Sequence, residues 1–315
     1  MTHTVFIDGE AGTTGLQIRE RLEKRADITL LQIDPARRKD PAARAEALNS
    51  ADAAILCLPD DAAREAASLV ANPRTVLIDA STAHRVAPGW AYGFPELSKT
   101  QRGLIASSKR ISNPGCYPTG FLALVRPLVD AGLVPADWPL TLNAVSGYSG
   151  GGKAMIAEFE DEASPSFTRA PFRIYAMNLA HKHVPEMQKH AGLTHPPLFA
   201  PAVGRYAQGM IVEVPLQLFA LPQKPTPAAL HAALAAAYAD ERFITVAGLA
   251  DAANVKTLDP EGLNGTNRMT LYVFANAETG QARLVALLDN LGKGASGAAV
   301  QNMNLALGID EGAGL

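Results

Sequence analysis

Residues Ile111 to Gly120 read ISNPGCYPTG and run on into FLALVRPLVDAG. Cys116 therefore follows a Pro-Gly turn and opens an amphipathic helix. Free N–H groups and the dipole at a helix N-terminus stabilise a thiolate, so such a thiol ionises more readily and attacks near neutral pH. Asn113 could donate a side-chain N–H toward an oxyanion formed there. Lone cysteines are usually inert packing residues, and Cys57, inside the apolar run AAILCLP, fits that description. The Pro-Gly before Cys116 and the Tyr-Pro-Thr-Gly after it make no core pattern.

A second group lies in LAHKHVPEM, Leu179 to Met187. His181 and His183 are two apart and do not share a helical face, while Pro185 suits the first turn of a helix. No third ligand stands at a useful spacing, so no metal is expected. Two readings stay open: a histidine that steadies a thiolate and shuttles a proton, or a pair that caps a helix start.

Other segments suit anions. Gly9, Gly12 and Gly15, with Thr13 and Thr14 among them, join an apolar run to a helix, a geometry that brings backbone N–H groups to a pyrophosphate. The spacing is not G-x-G-x-x-G. Asp34 follows the second apolar run, with Arg37, Arg38 and Lys39 behind it. An acid alone there favours a ribose hydroxyl, whereas guanidiniums favour a 2′-phosphate or simply make a solvated basic turn. Ser81 follows the buried run TVLID. Ser146 and Gly147 open the loop SGYSGGGK, and Asn290 and Lys293 lie in DNLGKGASG. These are candidate cofactor contacts. Lys153, Arg110 and Arg205 are candidate cations for a substrate's carboxylate or phosphate, or ordinary surface charges.

The elements that must position these groups fall into two patterns. Through about residue 110, short wholly apolar strands (4–8, 28–34, 53–58, 75–79) alternate with helices, as in a parallel sheet covered on both faces, a doubly wound nucleotide-binding domain. Further on, the strands 140–146, 210–220, 269–276 and 282–288 are longer and some alternate. The last two are joined by a hairpin-like NAETG. An alanine-rich helix spans 227–240, and a small-residue helix starts near Gly294. This half reads as α+β on an antiparallel or mixed sheet, with the boundary near Cys116. Composition agrees: 315 residues, 48% hydrophobic and 19% charged, exclude a disordered chain. A net charge of −3 argues against nucleic acid as a partner. Two cysteines suggest a reducing, cytoplasmic compartment. No apolar run is long enough for a membrane span, and the start reads as a strand rather than a signal peptide.

With SNPGCYPTG, HKHVPEM and DNLGKGASGAAVQNMN, the chain resembles the N-acetyl-gamma-glutamyl-phosphate reductases over nearly its whole length, in their shorter (type 2) form. The resemblance implies an α/β protein. A Rossmann-type domain, residues 1–115 completed by the C-terminal helix 294–315, would join an α+β catalytic and dimerisation domain, 116–293, of the glyceraldehyde-3-phosphate dehydrogenase-like kind. It implies NADP(H) as cofactor and a homodimer or homotetramer. The reaction would be reduction of N-acetyl-gamma-glutamyl phosphate to N-acetylglutamate semialdehyde and phosphate in arginine biosynthesis. Cys116 would be the nucleophile, and of His181 and His183 the latter, which opens the helix, is favoured as acid and base. A sibling acyl-phosphate reductase, such as aspartate-semialdehyde dehydrogenase, would use the same parts.

Overall fold

The computed structural model describes residues 2–315. The chain forms two compact units, one running to Gly115 and taken up again at Ala295–Leu315, the other Cys116–Gly294. No helix among the described residues is long and apolar enough to cross a membrane.

The first unit contains β1 (His3–Asp8), α1 (Thr13–Leu22), β2 (Ile28–Leu31), α2 (Pro41–Ser50), β3 (Ala53–Leu56), α3 (Asp60–Leu69), β4 (Val76–Asp79), β5 (Ala91–Tyr92), α4 (Gln101–Ser107) and β6 (Arg110–Ser112). The strands make one sheet in the order β2-β1-β3-β4-β6-β5, parallel throughout. Successive side chains of a strand point to opposite faces. Val5, Ile7, Ile55, Ile78 and Ile111 therefore pack with Ile18 and Leu22 of α1 and with Ala299, Val300 and Met303 of the C-terminal helix. Phe6, Ala54, Leu56 and Leu77 pack on the other side with Ala47 and Leu48 of α2 and with Ala63 and Ala66 of α3. Burial on both faces is why these strands are apolar without alternation, and each large side chain so buried contributes about 1.5–3 kcal/mol. Strand β2 stops at Leu31, short of the expected Asp34, whose carboxylate instead accepts the Ala36 N–H and caps the turn Pro35–Arg37. The C-terminal helix begins at Gly297 rather than Gly294, after a π-helical turn over Gly292–Ser296.

The second unit contains α5 (Cys116–Asp130), β7 (Thr141–Gly147), α6 (Gly152–Glu160), β8 (Phe172–Ile174), α7 (Val184–Ala191), β9 (Leu198–Gly204), β10 (Met210–Gln217), α8 (Pro227–Ala237), β11 (Ile244–Val246), α9 (Leu249–Asn254), β12 (Met269–Asn276) and β13 (Gln281–Leu288). Its sheet runs β11-β12-β13-β10-β7-β9-β8. The β7–β9 and β11–β12 pairs are parallel and the others antiparallel, so the sheet is mixed. β12 and β13 form the expected hairpin, in register from Met269 opposite Leu288 to Asn276 opposite Gln281. Helix α5 is not amphipathic. Tyr117 to Val125 are all buried, and α5 packs on β10 and β13 and against α7 and α8. At Gly120 a Cβ would stand 2.9 Å from the Val212 side chain, so glycine lets α5 press close to β10. This helix is a central rod of the unit, and its first residue is Cys116.

Candidate functional site

In the first unit the strands are parallel, so β1, β3 and β4 all end on one edge of the sheet, where a doubly wound fold binds its ligands. β1 ends at Asp8 and delivers the glycine loop. Gly9 has φ +88, and a Cβ there would strike the Cys57 carbonyl oxygen; a Cβ at Gly15 would come within 2.7 Å of the Gly9 carbonyl oxygen. Those two glycines are required by the chain's own packing. Gly12 is different: the nearest atom to a Cβ there is 3.5 Å away, and its outer side is open. Helix α1 starts behind Gly12 with no side-chain cap among the described residues. Beside it the Thr13 hydroxyl oxygen is buried and has no hydrogen-bond partner among the described residues. An uncapped helix start, an unsatisfied hydroxyl and an open glycine are what a pyrophosphate needs. A cleft of about 300 Å³ adjoins the loop, lined among others by Gly9, Glu10, Ile33, Arg38, Lys39 and Arg44. The residues therefore fit a dinucleotide.

The basic stretch divides. Arg38 lines the cleft and pairs with Glu10 at 2.9 Å. Arg37 pairs instead with Asp40, at 2.9 Å. Under the cleft Arg44 and Asp8 form a buried ion pair at 2.9 Å, and burial holds the Asp8 carboxyl above its usual range despite that partner. Ser81 lies just past β4 on the same edge, its hydroxyl and N–H both donated to Asp79.

Asn113 is committed to the framework of its unit. Its Nδ2 donates to the Ala295 carbonyl at 3.0 Å, and its Oδ1 accepts from Asn302 at 3.0 Å. Asn113 is thus a structural tie, and only one of its two amide N–H groups is used in these bonds. Arg110, expected as a substrate cation, lies elsewhere in the first unit. It begins β6, at the end of the parallel sheet opposite the ligand edge, and its guanidinium donates to the Lys109 carbonyl.

In the second unit, Cys116 is half-buried at the first position of α5. The Tyr117 ring lies 6.0 Å from the rings of both His181 and His183, and the two imidazoles are 4.7 Å apart. His183 is the N-cap of α7, and its backbone N–H donates to His181 Nδ1 at 3.1 Å. A neutral His181 therefore carries its proton on Nε2. Tyr175 adds a third ring, 5.7 Å from His181, and its hydroxyl donates to the Tyr117 hydroxyl at 3.1 Å. Burial raises both phenols, Tyr175 to about 12, and charge at Cys116 pushes both further in the same direction. Both stay protonated at neutral pH. Burial likewise pushes the Cys57 thiol up to about 12, which suits an inert residue.

The neighbouring loops serve mainly as framework. The N–H groups of Gly147, Tyr148 and Ser149 donate to the carbonyls of Gly209, Tyr206 and Ala207, so the loop does not turn those amides toward an anion. The Ser146 hydroxyl donates to the Gly147 carbonyl. Asn290 accepts from the Gly209 N–H at 2.7 Å and donates to Ser149. Lys293 is 1% exposed, with its ammonium 5.6 Å from the centre of the Phe243 ring. Arg205 donates to the carbonyls of Thr168 and Phe159 and lies over two phenylalanine rings. Ser146, Gly147, Asn290 and Arg205, expected as cofactor or substrate contacts, each make hydrogen bonds within their own unit, and Lys293 is buried there. Lys153 is exposed on α6.

Tyr175, Glu10 and Gly294 were not anticipated. A Cβ at Gly294 would stand 2.8 Å from the Cys116 Cβ, so the backbone of the GKG loop lies directly against the thiol-bearing residue. Gly294→Ala should displace Cys116 and lower kcat by roughly 10²-fold, the scale of a 1 Å misplacement. The buried clash should also lower the melting temperature, so kcat is compared on protein shown to be folded, and unchanged kcat would show that the contact positions nothing.

Two family descriptions match the chain: "Semialdehyde dehydrogenase, NAD binding domain" over residues 32–103 and "Semialdehyde dehydrogenase, dimerisation domain" over residues 116–290. The N-acetyl-gamma-glutamyl-phosphate reductase of Burkholderia lata is 56% identical over 306 residues, 97% of this chain and 96% of the relative. The protein of that name from Trichormus variabilis is 54% identical, over 99% of this chain and 98% of the relative.

The chain belongs to the N-acetyl-gamma-glutamyl-phosphate reductase family.

Among solved structures, aspartate semialdehyde dehydrogenase II from Vibrio cholerae superposes with a TM-score of 0.72 at 17% identity, covering 98% of this chain and 99% of that one. Aspartate semialdehyde dehydrogenase with NADP from Candida albicans gives a TM-score of 0.63 at 12% identity, covering 97% and 98%. These place the reductase family on the semialdehyde dehydrogenase fold, an NAD-binding domain joined to a dimerisation domain.

Proposed function

We propose that the chain reduces N-acetyl-gamma-glutamyl phosphate to N-acetylglutamate semialdehyde, with release of phosphate, through a thioester on Cys116. The observation that carries the chemistry is a thiol at the first position of a buried helix whose next residue, Tyr117, packs against the His181–His183 pair and accepts from Tyr175. The helix start favours the thiolate. The Cys116 sulfur attacks the acyl carbon, the carbon–oxygen bond to phosphate breaks, and phosphate leaves with the electron pair. When bound, the reduced nicotinamide supplies the hydride that the thioester carbon accepts far more readily than a carboxylate would. The carbon–sulfur bond then breaks and Cys116 recovers its thiolate. His183, protonated while Cys116 is a thiolate, gives its proton to the departing phosphate and is reprotonated from solvent before the next turn. His181, fixed by the bond from the His183 N–H, braces that ring. Tyr117, next in sequence to Cys116, and its hydrogen-bonded partner Tyr175 stay neutral.

NADP(H) is the cofactor of this reading, and Arg38 is the residue that reads its 2′-phosphate, with Lys39 beside it in the cleft. Arg38→Ala should weaken NADPH at least about tenfold and NADH little, on the scale of a charge-assisted hydrogen bond. Arg37→Ala should change neither much, because its partner is Asp40. Equal weakening of both cofactors by Arg38→Ala would contradict the assignment. The aldehyde substrate of the reverse reaction decides the function as a whole. Phosphate-dependent reduction of NADP by N-acetylglutamate semialdehyde is expected, and turnover only with aspartate semialdehyde would contradict it. Assembly through the dimerisation domain and a cytoplasmic location belong to the same reading.

A further inference from the structure

Glu10 stands second in the glycine loop, straight after Gly9, and shares its carboxylate between two arginines. Its Oε1 accepts from Arg38 at 2.9 Å and its Oε2 faces Arg19 of α1 at 3.3 Å. Glu10 is 20% exposed and Arg38 47%. Glu10, Arg38 and Lys39 line one cleft together with Asp8, Arg44 and Glu65. Arg44 is held by Asp8 at 2.9 Å and approached by Glu65 at 3.5 Å. Carboxylates thus match cations around the cleft, and its most exposed guanidinium is already paired. A phosphomonoester there must compete for Arg38 against a carboxylate that also repels it. A ribose hydroxyl meets no such competition. An ion pair this exposed is weak, so it can open. Glu10 then keeps Arg19 as its partner.

We propose that Glu10 is a specificity-determining latch: it holds Arg38 across the cleft, releases it to a 2′-phosphate by settling on Arg19, and so sets how strongly the chain prefers phosphorylated over unphosphorylated dinucleotide. The proposal rests on the reading of the cleft as the NADP(H) site. It differs from that reading in its sign, because removing the acid improves binding.

Isothermal titration of the full chain tests it with NADP⁺, NAD⁺, 2′,5′-ADP and 5′-AMP. Glu10→Gln keeps the shape and removes the charge. It should tighten NADP⁺ and 2′,5′-ADP roughly three- to tenfold, the scale of a partly exposed charge pair, and leave NAD⁺ and 5′-AMP within about twofold. In an Arg38→Ala background the same change should lose most of its effect. Weaker NADP⁺ binding in Glu10→Gln, equal shifts for all four ligands, or an undiminished gain without Arg38 would each overturn the latch. If the unaltered chain binds 2′,5′-ADP no better than 5′-AMP, the cofactor reading itself fails and the latch with it.

Discussion

Replacing Cys116 with serine should lower turnover by several orders of magnitude while the protein stays folded. A serine hydroxyl at the same helix start is hardly ionised near neutral pH, whereas a thiol is far easier to ionise and is intrinsically more nucleophilic. Loss of a covalent nucleophile has cost on the order of 10⁶-fold in well-studied hydrolases, and the residual rate reflects binding and electrostatic stabilisation alone. Exchange of sulfur for oxygen changes packing little at a half-buried site, so the unfolding midpoint should hold. Steady-state kinetics and urea unfolding on one preparation separate the two effects. Near-normal turnover would rule out the thioester.

The second large effect is expected at His183. His183→Asn preserves a polar side chain at the N-cap of α7 but removes the titrating ring, and should cost roughly 10²–10⁴-fold in kcat, the usual range for an acid–base group. The pH–rate profile should lose the limb that reports this group. His181→Asn should cost less, since the described His181 contacts orient rings rather than place it alone: its Nδ1 accepts the His183 N–H, and its ring meets Tyr117, Tyr175 and Phe199. A larger loss at His181 than at His183 would reverse the two roles.

Much of the fold was legible because its signals are local. Wholly apolar runs named β1, β3 and β4, and the NAETG turn named the β12–β13 hairpin to the residue at Met269 and Asn276. β9 was missed: LFAPAVG carries a proline and stands far in sequence from β7, with which it pairs in parallel. Helix α5 stands where expected but is not amphipathic over its first turns, since Tyr117 to Val125, Thr119 among them, are all buried. The site was legible where backbone chemistry writes itself into sequence, as at Pro-Gly before Cys116 and at Gly9-x-x-Gly12-x-x-Gly15. It was not legible where a polar residue has to choose a partner. Asn113, Asn290 and Arg205 have the right chemistry for ligands, yet each also finds partners inside the fold, through contacts up to 189 residues away in sequence. Tyr175 was missed for the converse reason, since nothing in its neighbourhood says that its hydroxyl will reach Tyr117.

The most direct measurement is mass spectrometry of the intact protein, acid-quenched after mixing with N-acetyl-gamma-glutamyl phosphate and no reductant. One N-acetylglutamyl group should appear per chain, map to the peptide bearing Cys116, and disappear when NADPH is added before the quench. A chain that turns over the substrate yet never carries that group on Cys116 would contradict the covalent route.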